Sequence, residues 1–394
     1  MFPFDFHCPT RIVFGPGRID ELGELTAGLS VKRALVVSDP GIEEVGHTQR
    51  AIDSLQAAGL DTLVFDRLQE NPTTDNVDDG RAVAADYQPD VIVAVGGGSS
   101  MDCAKGINFL HSCGGRMHDY WGVGKATGPM LPMVAVPTTA GTGSEAQSFA
   151  LISDAVTHAK MACGDKRAAF GVAVLDPELT LTQPPRLTAL TGMDAISHAV
   201  ETLVTKKRNQ ISMAFSREAW RLLTGGFRRV IADPDDLTAR GWMQQGACLA
   251  GLAIENSMLG GAHALANPVT AAFGVTHGEA VGVMLPRIVR HNGATAAGVS
   301  MAYAELVVTI ADREFSGGAS AAADGGGDED VLALADYLGG LARDAGLAGK
   351  LSDCGVTRDR LPALAADAAR QWTGTFNPVE MTADDYLKCY EAAF

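Results

Sequence analysis

The seven cysteines, at 8, 103, 113, 163, 248, 354 and 389, form no CxxC pair. An odd, scattered set argues against a disulfide framework and for reduced thiols in a cytoplasm. No uninterrupted apolar run approaches the ~20 residues that a membrane helix needs. The opening stretch, MFPFDFHCPTRIVFGPG, lacks a basic start followed by an apolar core, so no secretory signal is expected. Positive charge is also scarce. Lys and Arg number 31 against 47 Asp and Glu, and the resulting charge of −16 argues against nucleic acid or an anionic membrane as a partner. The one basic cluster, TKKRNQ (205–210), reads as a solvated helix face. No internal repeat recurs at a fixed period.

At 394 residues, 46% of them hydrophobic, the chain is long enough for two packed domains. The first half alternates strands and helices. RALVVSD (33–39), DTLVFD (61–66), DVIVAVGGGSS (90–100) and PMVAVPTTAGTGSE (132–145) read as apolar strands ending in polar or glycine-rich turns. Helical stretches such as HTQRAIDSLQAAGL (47–60) and NVDDGRAVAADY (76–87) separate them, the pattern of a parallel sheet covered on both faces. Near 175–190 the texture changes at three prolines, and no convincing strand follows. The expected organisation is an α/β domain over 1–185 and an all-helical domain over 186–394. The glycine- and acid-rich segment 316–330 is expected to be a mobile loop.

Gly96, Gly97, Gly98 and Ser99 stand directly between a strand and a helix. Such a turn lets backbone N–H groups approach a phosphate, with the helix dipole favouring the negative charge. It matches neither GxGxxG nor GxxxxGK, and a tight strand–helix turn is the plainer alternative. Asp39 closes another strand, where its carboxylate could accept from a ribose hydroxyl and repel a 2′-phosphate; it could equally start the turn SDPG. Thr138, Thr139, Thr142 and Ser144 crowd a third strand end. Together these strand ends fit an extended ligand of dinucleotide length.

TGMDAISHAVE (191–201) places Asp194 and His198 four apart, hence on one helix face. A surface ion pair would explain that spacing by itself. His263 and His277, fourteen apart, lie in another run of small apolar residues. Either could be a satisfied core histidine. Taken together, three imidazoles and one carboxylate suit Zn²⁺, Fe²⁺ or a related divalent ion with a position left for substrate.

RIVFGPG, GGGSSMD, PTTAGTGSE, LDPELT, LTGMDAISHAVE, GGAHALANPV, THGEAVGVMLP and the NP at 377–378 occur in an order and spacing that resemble the iron-containing, or group III, alcohol dehydrogenase family over nearly the whole chain. The resemblance implies a dinucleotide-binding α/β domain followed by a helical domain, the architecture shared with dehydroquinate-synthase-like proteins. It implies metal ligands at Asp194, His198, His263 and His277. It implies cofactor contacts at Asp39, Asn71, Gly97, Gly98, Ser99, Asp102, Thr138, Thr139, Thr142, Phe149, Lys160 and Leu179. A cytoplasmic homodimer or higher homo-oligomer is expected with it. One position departs from the pattern. Many family members carry a histidine four residues after the third ligand, placed to relay a proton; here it is Asn267, which cannot titrate near neutrality and could equally cap a helix break before Pro268.

The expected activity is therefore NAD-dependent hydride transfer on a small alcohol, aldehyde or ketone held at Fe²⁺, or at Zn²⁺ or another divalent ion. Two alternatives are a dehydroquinate-synthase-like lyase with metal and NAD, and a non-catalytic nucleotide-binding regulator. The lyase would need a basic, phosphate-gripping pocket, yet the segments that carry the four ligand candidates, 191–201 and 260–282, hold no Lys or Arg. The regulator would have no use for four ligands.

Overall fold

The computed structural model describes residues 3–314 and 327–394. The chain divides into two compact units: His7–Gln183, and Pro184–Phe394 joined by the few residues before His7. No described helix is long and apolar enough to cross a membrane.

The first unit is built on two sheets. Its strands are β1 (Arg11–Phe14), β2 (Arg33–Val37), β3 (Asp61–Phe65), β4 (Val91–Gly96), β5 (Gly122–Val123), β6 (Met133–Pro137), β7 (Phe149–Ser153), β8 (Lys160–Gly164) and β9 (Val172–Leu175). Six of them form a parallel sheet in the order β1-β9-β6-β4-β2-β3. The buried runs of β4 and β6 have no exposed position, as a sheet covered on both faces requires. Helices α1 (Leu22–Ala27), α2 (Pro40–Glu44), α3 (His47–Ala57), α4 (Thr74–Tyr87) and α5 (Gly98–Cys113) belong to this unit. Ile19, Leu22, Ala51 and Leu55 pack with Val36, Val93, Val95, Val136 and Val174 in its core. A second, three-stranded sheet was not apparent in the sequence. There β7 pairs antiparallel with β8, and β5 adds to β8 in parallel. Its strands are only two to five residues long, too short for a firm alternation signal.

The second unit has no strand among its described residues, and its α-helices are α6 (Pro185–Val204), α7 (Gln210–Ala232), α8 (Leu237–Glu255), α9 (Gly261–Phe273), α10 (His277–Thr295), α11 (Ala297–Glu314), α12 (Asp328–Asp344), α13 (Leu361–Ala368) and α14 (Ala383–Ala393). Two sequence expectations need correction. TKKRNQ is not a helix face but the turn between α6 and α7, where Arg208 donates to the carbonyls of Val204 and Thr205 and Asn209 caps α7. Those bonds satisfy helix-end groups that a continuing helix would have satisfied itself. Of the loop expected over 316–330, residues 316–326 lie outside the described residues, while Asp328, Glu329 and Asp330 form the first turn of α12. Acidic residues there are favoured by the helix dipole.

Lys105 ties the parallel sheet's largest helix to the small sheet. Fully buried on α5, its ammonium donates to the Ser144 carbonyl at 2.8 Å, the Ser144 hydroxyl at 2.9 Å and the Phe149 carbonyl at 2.8 Å. Burial pushes the nearby Asp102 carboxyl up, and the positive charge of Lys105 opposes that shift. Lys105→Met strips three acceptors of their donor and removes the compensating charge. We expect a loss of about 3–5 kcal/mol, measured as a lower denaturant midpoint of the variant. An unchanged midpoint would rule out this role.

Candidate metal centre and glycine-rich turn

α6 is twenty residues long, opens on Pro185 and buries nearly every residue after Thr188. Asp194 and His198 lie one turn apart on it, and their side chains are only 8% and 5% exposed, so the surface ion pair is excluded. α9 brings His263 in its first turn, and α10 begins with His277. Close approach of α10 to α6 depends on Gly278, where an added Cβ would stand 2.2 Å from the Leu190 carbonyl oxygen. Gly278 follows His277 and Leu190 precedes Asp194 by one turn, so this backbone contact sets the separation of the two side chains.

Three imidazole nitrogens gather around one carboxylate oxygen. Asp194 Oδ1 lies 3.4 Å from His198 Nε2, 3.5 Å from His263 Nε2 and 3.6 Å from His277 Nε2. His198 Nε2 and His263 Nε2 are 3.2 Å apart. Ligand atoms ~2.1 Å from a common ion at tetrahedral angles stand about 3.4 Å from one another, so these separations are those of a coordination shell. The ligand atoms of Asp194, His263 and His277 all lie within 4.8 Å of one another; His198 adjoins the first two. Asp194 Oδ1 is buried without a hydrogen bond of normal geometry among the described residues. A buried carboxylate oxygen in that condition calls for a cation. The donor set therefore fits a divalent metal ion. His277, 30% exposed, is the open edge of an otherwise buried set.

Electrostatics agree with the geometry. Burial alone would raise the Asp194 carboxyl, but the imidazoles of His198, His263 and His277 outweigh it and hold the group well below the carboxylate range. Burial likewise lowers His263, but the carboxylates of Glu201 and Asp194 outweigh it and push the imidazole up to about 9. Glu201 was not singled out in the sequence. It is 4% exposed, accepts from His263 Nδ1 at 2.5 Å and from the Ala262 N–H at 2.6 Å. Its signal was present: with Asp194 and His198 it completes an i, i+4, i+7 row of ionisable residues on a helix whose one other charged residue is Arg186.

Asn267 lies one turn after His263, half-buried, and its amide donates to Gln371 Oε1 at 3.1 Å. A cap at a helix break before Pro268 does not describe it, because α9 runs through Pro268 to Phe273.

In the first unit the glycine-rich turn is shaped by its neighbours. Gly96 has φ 146°, and a Cβ there would stand 2.3 Å from Ser100 Oγ. A Cβ on Gly98 would meet Thr142 Cγ2 at 2.7 Å, and one on Gly97 would meet Thr139 at 3.3 Å, so the turn and the threonine loop are in direct contact. The N-cap of α5, Gly97, supplies no side-chain cap to the helix. The first N–H groups of a sixteen-residue helix are thereby left to an anionic ligand or water. Thr138 Oγ1 is buried with no hydrogen-bond partner among the described residues. These features fit a pyrophosphate.

Two of the other expected residues, Asp39 and Asn71, are bonded to the first turn of α5. Asp39 starts the turn SDPG, as the plainer reading had it: Oδ1 caps α2 through the N–H groups of Gly41 and Ile42, while Oδ2 accepts from Ser100 Oγ at 3.2 Å. Ser99 Oγ accepts from the Asn71 N–H, and Lys160 Nζ donates to Asn71 Oδ1, a chain that joins three expected residues. Asp102 accepts from Ser144 Oγ at 2.9 Å. The Phe149 ring covers Gly164. Leu179 is fully buried in the hydrophobic core of the parallel sheet.

Comparison with known proteins agrees with these observations. The family model described as iron-containing alcohol dehydrogenase matches residues 9–177, and that of the Fe-containing alcohol dehydrogenase family, C-terminal, matches 188–394. The 1,3-propanediol dehydrogenase of Citrobacter freundii is 35% identical, covering 99% of each chain. The NAD-dependent methanol dehydrogenase of Bacillus methanolicus is 32% identical, again over 99% of each. A crystal structure of 1,3-propanediol oxidoreductase superposes with a TM-score of 0.91 at 33% identity, covering 100% of each chain. Matched over both units by sequence and fold, this chain is an oxidoreductase of the iron-containing alcohol dehydrogenase family.

Proposed function

We propose that the protein is an NAD(H)-dependent alcohol dehydrogenase and carbonyl reductase for a small substrate, with a divalent ion held by Asp194, His198, His263 and His277. Fe²⁺ is the ion of the family's name, and Zn²⁺ suits the same donors. The observation that carries this reading is the buried Asp194 oxygen facing three imidazole nitrogens. The names of the propanediol and methanol dehydrogenases support a short-chain alcohol, and the latter's name supports NAD. No disulfide joins the cysteines, which suits a reducing cytoplasm.

The bound ion supplies Lewis acidity and the nicotinamide the hydride acceptor. The chain's own residues supply position and surroundings. Asp194, His198 and His263 form the dry side of the centre, and His277 its accessible edge, so the substrate oxygen approaches beside His277. In the proposed α/β cofactor domain, the first turn of α5 binds pyrophosphate through backbone N–H groups, and Asp39 sits toward the adenine ribose. Asn267 has no proton to exchange near neutrality, so the hydroxyl proton passes to water rather than to this side chain.

Three outcomes are expected. Purified protein should carry one divalent ion per chain, and His263→Ala should lose the ion and turnover together, measured by elemental analysis and steady-state rates. Full metal content with full activity in that variant would sink the assignment. Asp39→Gly should narrow or reverse a preference for NAD(H) over NADP(H), because a carboxylate that repels a 2′-phosphate is gone. Glycine at a helix N-cap costs only a few tenths of a kcal/mol, so the fold should persist. Wild-type preference for NADP(H) would show that Asp39 is not at the ribose. Asn267→His should add a group titrating near pH 6–7 to the rate profile of the folded, metal-loaded enzyme. An unchanged profile would remove position 267 from the proton route.

A further inference from the structure

The first turn of α9 holds His263, and nothing on the helix itself satisfies its leading N–H groups; Gly260, at the N-cap, has no side chain. Partners arrive from distant segments. Asn377 Oδ1 accepts from the Gly261 N–H at 3.2 Å, and Glu201 Oε1 accepts from the Ala262 N–H. Asn377 is 1% exposed and is paired amide to amide with buried Asn292, at 2.8 and 3.0 Å. It also donates to the Val379 carbonyl. The asparagine of the NP dipeptide at 377–378 therefore has a place: it anchors the turn that carries His263. Space for these partners exists because residue 260 is glycine, where a Cβ would stand 3.2 Å from Glu201 Oε1 and 3.3 Å from Asn377 Oδ1.

From this network we infer that Glu201 is a positioning residue: it fixes His263 as the tautomer with hydrogen on Nδ1, leaving the Nε2 lone pair toward Asp194. The inference rests on the metal-centre reading above. A carboxylate only accepts, and its two oxygens meet two donors, the Ala262 N–H and His263 Nδ1. A backbone N–H cannot reverse its role, so Oε1 is committed, and Oε2 is left to demand a proton on Nδ1. With hydrogen there, Nε2 is the nitrogen free to ligate, 3.5 Å from Asp194 Oδ1 and 3.2 Å from His198 Nε2. Outer carboxylates of this kind commonly orient ligating imidazoles and strengthen their donation.

Glu201→Gln tests the count with almost no change of volume. Glutamine offers one acceptor oxygen. If that oxygen keeps the Ala262 N–H, the amide NH₂ faces His263 Nδ1 and favours the other tautomer, with hydrogen on the nitrogen meant for the metal. The probe is Zn²⁺, titrated against a competing chelator into metal-stripped wild-type protein, Glu201→Gln, Glu201→Asp and His263→Ala, each checked for fold by circular dichroism. Glu201→Gln should bind one Zn²⁺ with affinity lower by roughly 10–100-fold. Glu201→Asp, which retains two acceptors, should fall between it and wild type. Zinc affinity within threefold of wild type in Glu201→Gln, while His263→Ala has lost it, would overturn the tautomer role alone. Equal losses in Glu201→Asp and Glu201→Gln would also overturn it, since only packing would then be at stake. Wild-type binding in His263→Ala would instead overturn the metal centre itself. A measurement that needs no folded variant is the side-chain ¹⁵N spectrum of Zn²⁺-loaded wild type. His263 should show its proton on Nδ1; a proton on Nε2 would end the proposal.

Discussion

A carboxylate buried among apolar helices constrains the helical unit more than any other single group. Asp194 cannot be left charged and unaccompanied in such surroundings, because desolvation would cost several kcal/mol. Three imidazoles answer it, each delivered by a different structural device. His198 comes from the next turn of the same helix. His277 comes from a helix that can approach only because glycine follows it. His263 comes from a helix whose first turn is held by Glu201 and Asn377. The requirement at one oxygen atom thus fixes the spacing of α6, α9 and α10.

Legibility in the sequence followed the range of the interaction concerned. The parallel sheet was readable because each of its central strands is a continuous apolar run, which depends only on neighbours along the chain. The Asp194–His198 spacing was readable for the same reason, as a helix places i and i+4 together regardless of the rest of the fold. Residue type alone could group His263 and His277 with that pair, but only the family resemblance implied that they converge, since no local rule joins residues some 65 to 83 positions apart; that figure is the difference between 263 and 198 and between 277 and 194.

What escaped the sequence was of two kinds. Some features were too brief to leave a pattern, as with the two-residue β5 and the hairpin of β7 and β8. Others use residues against their more common meaning. Pro268 usually marks a helix end, yet α9 continues past it, held from outside along its length, for instance where Tyr390 donates to the Leu265 carbonyl. Lys206 and Lys207 looked like part of a charged helix face, but the carbonyl-binding Arg208 and the capping Asn209 turn the chain there. Glu201 was visible as a letter and invisible as a partner. Its bonds run to residues about sixty positions away, at the difference between 201 and 262 or 263.

The glycine-rich turn carries a consequence for how mutational experiments on this enzyme can be interpreted. Glycines in such turns are customarily replaced to ask whether a phosphate sits against the backbone. Here the space beside Gly97 and Gly98 is already taken by the protein's own threonines, Thr139 and Thr142, and Gly96 holds a conformation that side chains resist. An alanine at 98 would push the threonine loop before any ligand arrived. Loss of cofactor affinity in that variant would therefore report damage to the scaffold, and could be misattributed to a lost contact. Truncating Thr142 instead leaves the backbone of the turn intact, and gives up the hydroxyl that accepts from the Ser144 N–H. The informative perturbation lies on the opposite side of the contact from the residues that draw the eye.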